Sequence, residues 1–83
     1  MSLQTERILL ESKINALKRD REMKAIEADM HIVTIRQESS PLLNLTTIDI
    51  DRLEVAIAAL KACKSQTQDI DREITRLEKA LGE

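Results

Sequence analysis

The chain has 83 residues, of which 42% are hydrophobic and 34% are charged, with one glycine, one proline and no aromatic residue. Such a chain forms one small domain, residues 1–83, near the size at which a single core becomes marginal. Its formal net charge of −2 is not the strong positive field of a dedicated nucleic-acid binder. It has neither an apolar run of the roughly 20 residues that span a bilayer nor the features of a signal peptide, so we expect a cytoplasmic protein.

The first predicted element is a long helix over residues 5–38, which contain no glycine or proline and many good helix formers. Pro41 is the only proline, and it disfavours helical geometry in the preceding residue. The helix should therefore stop near Ser39 or Ser40. The turn that follows is unusually apolar, with Leu42, Leu43 and Leu45. These leucines are expected to cap the end of the bundle or, alternatively, to dock against a partner.

The second predicted element is a helix over residues 47–81. Thr46 is its expected N-cap, with Asp49 three residues on in an acidic variant of the capping box. Gly82 is a natural stop after the last apolar residue. Two long amphipathic helices joined by about seven residues predict an all-α antiparallel hairpin.

Apolar residues at alternating spacings of three and four predict a coiled-coil-like seam between the terminal halves of the helices. The first helix supplies Leu10, Ile14 and Leu17, and the second supplies Cys63, Thr67, Ile70, Ile74, Leu77 and Leu81. Facing residues of an antiparallel pair have a nearly constant sum of residue numbers. A turn centred near residue 42 predicts a sum near 84, which pairs Leu10 with Ile74 and Ile14 with Ile70.

The loop half, residues 23–62, is more apolar, with 21 of the hydrophobic residues against 14 in the two termini together. Both helices carry apolar side chains on two sides there. Residue-number sums of 83 (Met30 with Leu53) and of 87 (Ile32 with Val55) both fit the loop. The sequence therefore does not decide which stripe forms the intrachain seam in this half. Either choice leaves an apolar stripe exposed, which predicts a homodimer in a four-helix bundle. The expected oligomer interface comprises Met23, Ala25, Ile26, Ala28, Met30, Ile32, Ile48, Val55, Ala59 and Ala62.

Candidate chemical groups are few. His31, the only histidine, has Glu27 four residues earlier on the same side of the helix. Zinc sites use three or four protein ligands, and no others are evident, so we predict no metal site and an edge or solvated position for His31. Cys63 falls on the apolar seam, about two helical turns from His31 in the expected register. The sequence predicts no catalytic residue and no cofactor, and therefore no enzyme.

Charged residues of the second helix are expected to form ordinary surface pairs, Asp69 with Arg72 and Glu73 with Arg76. A basic cluster on the first helix favours a different function, the binding of nucleic-acid phosphates. Antiparallel pairing is expected to bring lysines of the second helix to the same level as this cluster. This candidate nucleic-acid patch comprises Lys18, Arg19, Arg21, Lys24, Lys61 and Lys64. Acidic neighbours spaced four apart, and the lack of aromatic stacking groups, weaken that interpretation.

The sequence therefore predicts a non-catalytic helical interaction or assembly module that acts as a homo-oligomer and contacts another protein through its loop half. The alternative is a nucleic-acid-binding hairpin dimer. A membrane partner is not expected, since neither helix has a dominant basic face.

Overall fold

A computed structural model of the chain describes residues 3–40 and 45–82. Two helices account for almost all of these residues: α1 spans Leu3–Glu38 and α2 spans Ile50–Ala80. They pack against each other along a rod of 65 × 17 × 14 Å. The predicted all-helical hairpin is thus confirmed. Pro41, Leu42 and Leu43 lie outside the described residues.

The end of α1 agrees with the sequence prediction to within two residues. The helix ends at Glu38, and the Ser39 amide donates a hydrogen bond to the Ile35 carbonyl at 3.0 Å. The Ser39 hydroxyl donates to the same carbonyl oxygen. The amide and the hydroxyl of Ser39 therefore both satisfy the Ile35 carbonyl, which is one of the last four carbonyls of the helix.

The start of α2 differs from the prediction, which placed the N-cap at Thr46. Asp49 is the N-cap: its backbone is extended, with φ −90° and ψ 90°, and its carboxylate accepts a hydrogen bond from the Arg52 amide at 2.9 Å. Thr46 instead lies in the turn over residues 45–47. The Asp49 carboxylate carries a full negative charge at the positive end of the helix dipole, which favours it as the cap.

The end of α2 is closed as the sequence predicts. The Leu81 amide donates to the carbonyls of Leu77 and Glu78, both at 3.1 Å. Gly82 has a φ of 84°, in the left-handed region that glycine adopts without strain, and its amide donates to the Lys79 carbonyl at 3.0 Å. The glycine therefore terminates the helix by satisfying a carbonyl of its last turn.

The core is confined to a narrow seam. Its largest buried cluster, in the terminal half, contains Ile14, Ile74 and Leu77, with four partly buried residues packed against it: Leu10, Leu17, Ile70 and Leu81. The predicted membership of the terminal seam is therefore confirmed, but its predicted pairing at a sum of 84 is not. Beyond this cluster, the buried hydrophobic residues of the described chain are Ala56 and Cys63, whose side chains are small. The loop half is thinly packed by comparison.

The register of the two helices differs from the predicted one. Arg21 Nη1 lies 2.6 Å from Asp71 Oδ1, and Arg52 Nη1 lies 3.4 Å from Glu38 Oε1. The residue-number sums of these pairs are 92 and 90, so the helices are shifted by about one heptad from the expected sum of 84. Apolar stripes that repeat every seven residues face each other equally well in both registers. The connection decides between them, because it has eleven residues, 39–49, rather than seven.

The seam in the loop half follows neither of the predicted pairings. Met30 is 66% exposed and Val55 is 70% exposed, so neither the pair of Met30 with Leu53 nor that of Ile32 with Val55 is formed. The half-buried apolar residues on this part of the seam are Ala28, Ile32, Ile35, Leu53, Ala59 and Leu60. In this half, the seam thus joins two faces. The face on α1 carries Ala28, Ile32 and Ile35, and the face on α2 carries Leu53, Ala59 and Leu60.

Candidate functional site

A row of exposed apolar side chains runs along the loop half of α1. Met23 is 64% exposed, Ile26 57%, Met30 66% and Val33 50%. Their spacings of three, four and three residues place them on one side of the helix, away from the half-buried residues of the seam. We refer to Met23, Ile26, Met30 and Val33 as the methionine stripe. Both methionines are therefore mostly exposed to solvent.

A shallow groove follows the methionine stripe. Met23, Ile26 and Met30 line it together with Ile70 of α2, and Asp20, Lys24 and Glu27 form its polar edge. The floor is therefore apolar and the rim carries both signs of charge. This arrangement has the anatomy of a protein interface, in which an apolar centre is enclosed by a polar rim.

A second groove contains the alanines that the sequence analysis assigned to the same interface. Ala25 and Ala28 line it with Leu60 and Cys63. The structure therefore divides the predicted oligomer interface between two grooves. Of its other residues, Val55 and Ala62 are exposed, and Ile32, Ile48 and Ala59 are half-buried. The prediction omitted Val33, Ile50 and Ile57, which are 50%, 53% and 40% exposed.

The observed register changes which basic side chains of the candidate nucleic-acid patch lie at the same level. A residue-number sum near 91 sets Lys61 and Lys64 level with Met30 and Glu27, about one heptad from the position expected for them. Lys64 still lines a groove with Arg21 and Lys24, whereas Lys61 does not line it, so the predicted alignment is formed for Lys64 alone. All of Lys18, Arg19, Arg21, Lys61 and Lys64 are exposed, and Lys24 is half-buried.

Acidic side chains engage two members of this patch. The Arg21 guanidinium donates to Asp71 across the hairpin, and Lys24 Nζ lies 3.2 Å from Glu27 Oε2 on the same helix. Arg21, Lys24 and Lys64 do line the second groove together, but Asp71 lies among them. The local field is therefore mixed in sign, which does not favour binding along a phosphate backbone.

The surface pairs predicted on α2 are confirmed. Arg72 Nη1 lies 3.0 Å from Asp69 Oδ1, and the Arg76 guanidinium donates two hydrogen bonds to the Glu73 carboxylate. The hydrogen bond from Arg76 lowers the pKa of Glu73 below its ordinary value of 4.5, and the same bond raises the pKa of Arg76. These groups stabilise each other's charged forms on the surface and do not form a reactive site.

Three side chains with metal-binding atoms meet on the seam at the edge of the loop half. One ligand atom each of Glu27, His31 and Cys63 lies within 4.8 Å of the other two. Cys63 is 3% exposed, His31 is half-buried and Glu27 is exposed. From the sequence, Glu27 and His31 were expected to lie together and Cys63 about two helical turns from His31. That expected separation between Cys63 and His31 is wrong. The heptad shift brings Cys63 level with the turn between the other two residues.

No helix in the described part of the chain combines the length and the apolar character needed to cross a membrane. Comparison with protein-family models, with curated proteins and with solved structures finds no match to this chain.

Proposed function

We propose that this chain is a non-catalytic helical interaction module that works as a homo-oligomer. The observation that supports the proposal is the methionine stripe, in which four large apolar side chains are each at least half exposed on the thinly packed half of the hairpin. An apolar stripe in water carries a cost of about 25 cal/mol for each Å² left exposed, and association removes that cost. The occupant that we propose is a second copy of the hairpin.

A second copy fits the stripe for reasons of composition. The loop half of another chain offers the same unbranched methionines beside β-branched residues, which adapt to one another in a symmetric contact. The rim of the groove carries Asp20 and Glu27 as well as Lys24, so its charges complement those of a two-fold related copy. Two hairpins that pack in this way form a four-helix bundle.

The test introduces a charge into the stripe. Met30→Glu places a carboxylate where the proposed interface would bury it, and we expect at least about tenfold weaker association because an unpaired buried charge is costly. Light scattering or sedimentation over a range of protein concentrations measures the change. Met30 is 66% exposed in the hairpin, so the variant should keep its helical circular dichroism.

Ser12→Glu is the matched control, since it adds the same charge to an exposed position of α1 in the terminal half. It should associate as the unaltered chain does. Ala28 and Ala59 are poorer probes, because both are half-buried within the hairpin and a charge there would disturb the fold itself. A fully helical monomer at all concentrations, or a Met30→Glu variant that associates normally, would contradict the proposal.

A further inference from the structure

We infer that Glu27, His31 and Cys63 form a zinc site that joins the two helices of one hairpin. The inference goes beyond the proposed association and does not depend on it. It starts from the geometry: one carboxylate oxygen, one imidazole nitrogen and the Cys63 sulfur all lie within 4.8 Å of one another. Two of the donors come from α1 and one comes from α2, so a single ion would connect the elements.

The spacing on α1 suits a shared ion. Glu27 and His31 are four residues apart, and side chains at that spacing are neighbours on one face of a helix. The one-heptad shift then sets Cys63 opposite this face, which is why the three ligand atoms lie within 4.8 Å of one another. Tetrahedral zinc holds neighbouring ligand atoms roughly 3.3–3.6 Å apart, so donors within 4.8 Å of one another need to approach by about 1.5 Å at most. Neither Glu27 nor His31 is buried, so both side chains have room to rotate toward the sulfur of Cys63.

The types of donor select the metal. A thiolate and an imidazole are ligands for zinc and its neighbours, whereas calcium and magnesium require oxygen ligands. On binding, the Cys63 thiol gives its proton to solvent, and the thiolate and the Glu27 carboxylate together balance the two positive charges of the ion. Three protein ligands leave the fourth tetrahedral position to a water molecule.

The surroundings of the cluster are compatible with an ion. Cys63 is 3% exposed, so its sulfur is held within the seam, while Glu27 and His31 lie toward the surface and leave an entry path. Lys24 Nζ lies 3.2 Å from Glu27 Oε2, which engages one oxygen of the carboxylate and leaves Oε1 for the metal. The neighbouring seam is built from small residues, such as Ala28 and Ala56, where a metal link adds most to a thin core.

The experiment uses the full chain, reduced and freed of metal, and titrates it with Co²⁺ as a spectroscopic substitute for Zn²⁺. We expect one ion per chain, a thiolate-to-cobalt charge-transfer band, intense visible bands of tetrahedral cobalt, and displacement of Co²⁺ by Zn²⁺. The thermal unfolding midpoint should rise with Zn²⁺, because the ion binds the folded hairpin and not a preformed site in the unfolded chain.

Three variants remove one ligand each: Glu27→Gln, His31→Gln and Cys63→Ala. Each should lower the affinity for Zn²⁺ at least about tenfold, since even the loss of groups that only support metal ligands costs that much. Cys63→Ala should also abolish the charge-transfer band. The matched control is Asp29→Asn, which neutralises another exposed carboxylate of α1 and should bind Zn²⁺ as the unaltered chain does. Glu27→Gln and His31→Gln alter side chains that are not buried, so they test the site even if Cys63→Ala fails to fold.

A spectrum without the thiolate band, or ligand variants that bind as tightly as the Asp29→Asn control, would overturn the site. One ion per two chains would overturn it as well, because the ligands would then come from different hairpins. The Met30→Glu variant separates this inference from the proposed association. If that variant is monomeric and still binds one ion, both proposals stand. If it associates normally, the association surface is wrong and the metal site is unaffected.

Discussion

Asp49 and Gly82 close the two ends of α2 by different means. Asp49 accepts the Arg52 amide through its carboxylate, and Gly82 reaches the Lys79 carbonyl through a left-handed backbone. The end of α2 at Gly82 can be predicted from the sequence, because only glycine adopts the required φ without strain. The position of the N-cap is harder to predict, since Thr46 and Asp49 both precede a helical pattern and both residue types cap helices.

Asp49→Ala should lower the free energy of unfolding by about 1 kcal/mol, because the Arg52 amide loses its acceptor. Asp49→Asn keeps a capping oxygen and should lose much less. Chemical denaturation followed by circular dichroism compares the three proteins. Equal losses in both variants would show that the charge of Asp49, and not its hydrogen bond, is the stabilising property.

Glu73 and Arg76 give stability a dependence on pH. The pKa of Glu73 is lowered in the folded chain by its hydrogen bond with Arg76, so the folded state binds the proton of this group less readily than the unfolded state does. The contribution of the pair is therefore present above the ordinary carboxyl pKa of 4.5 and is lost as the pH falls through the lower folded value. Glu73→Gln should be slightly less stable than the unaltered chain near neutral pH and equally stable in strong acid.

Urea unfolding at several pH values measures this difference. The pair is exposed to solvent, so the effect is small and is best read from a double-mutant cycle with Arg76→Gln. The Glu73→Gln and Arg76→Gln double variant should lose no more stability than either single variant. A difference between the unaltered chain and Glu73→Gln that persists unchanged into strong acid would contradict the assignment.

The existence, type and approximate limits of the two helices were predictable, because composition and heptad spacing both favour them over residues 5–38 and 47–81. The register was not. Stripes that repeat every seven residues match at every seventh register, so only the length of the connection distinguishes them, and the later start of α2 changed that length. The same displacement explains why the cluster of Glu27, His31 and Cys63 could not be predicted from the sequence, although each of the three residues was a candidate by itself.

The register is measurable with spin labels on exposed positions, in a Cys63→Ala background diluted with unlabelled chain. One label replaces Lys18, and the other replaces either Gln68 or Thr75, which lie seven residues apart on one side of α2. In the observed register the label distance should be shorter for Lys18 with Thr75. In the register with a sum of 84, the order is reversed, because a shift of seven residues moves one helix by about 10 Å along the other.

The whole molecule has little core for its surface. Its largest buried cluster is at one end, and the exposed methionine stripe is toward the other, so the two halves of the hairpin differ in how they are stabilised. Chains of this size usually gain stability from a metal, from disulfides or from oligomerisation. The single cysteine of the sequence excludes an intrachain disulfide, which leaves the two means that we propose, a metal and oligomerisation.

If association stabilises the fold, the thermal unfolding midpoint should rise with protein concentration, since mass action favours the folded oligomer over unfolded chains. We expect a clear rise between about 1 and 100 µM for the unaltered chain and for Ser12→Glu. Met30→Glu should unfold at a lower midpoint that does not change with concentration. Differential scanning fluorimetry with an external dye measures it, and a midpoint that stays constant in the unaltered chain would argue against a stabilising oligomer.

The antiparallel arrangement also fixes where the helix ends lie. The start of α1 and the end of α2 lie at one end of the hairpin, where Leu3, Leu10, Ala80 and Leu81 line a common hollow. The loop half is at the opposite end of a particle 65 Å long. A molecule that binds the methionine stripe as proposed and one attached beside the helix ends would therefore be several nanometres apart. Fluorescent groups at the two ends would report bending of the rod without touching either surface.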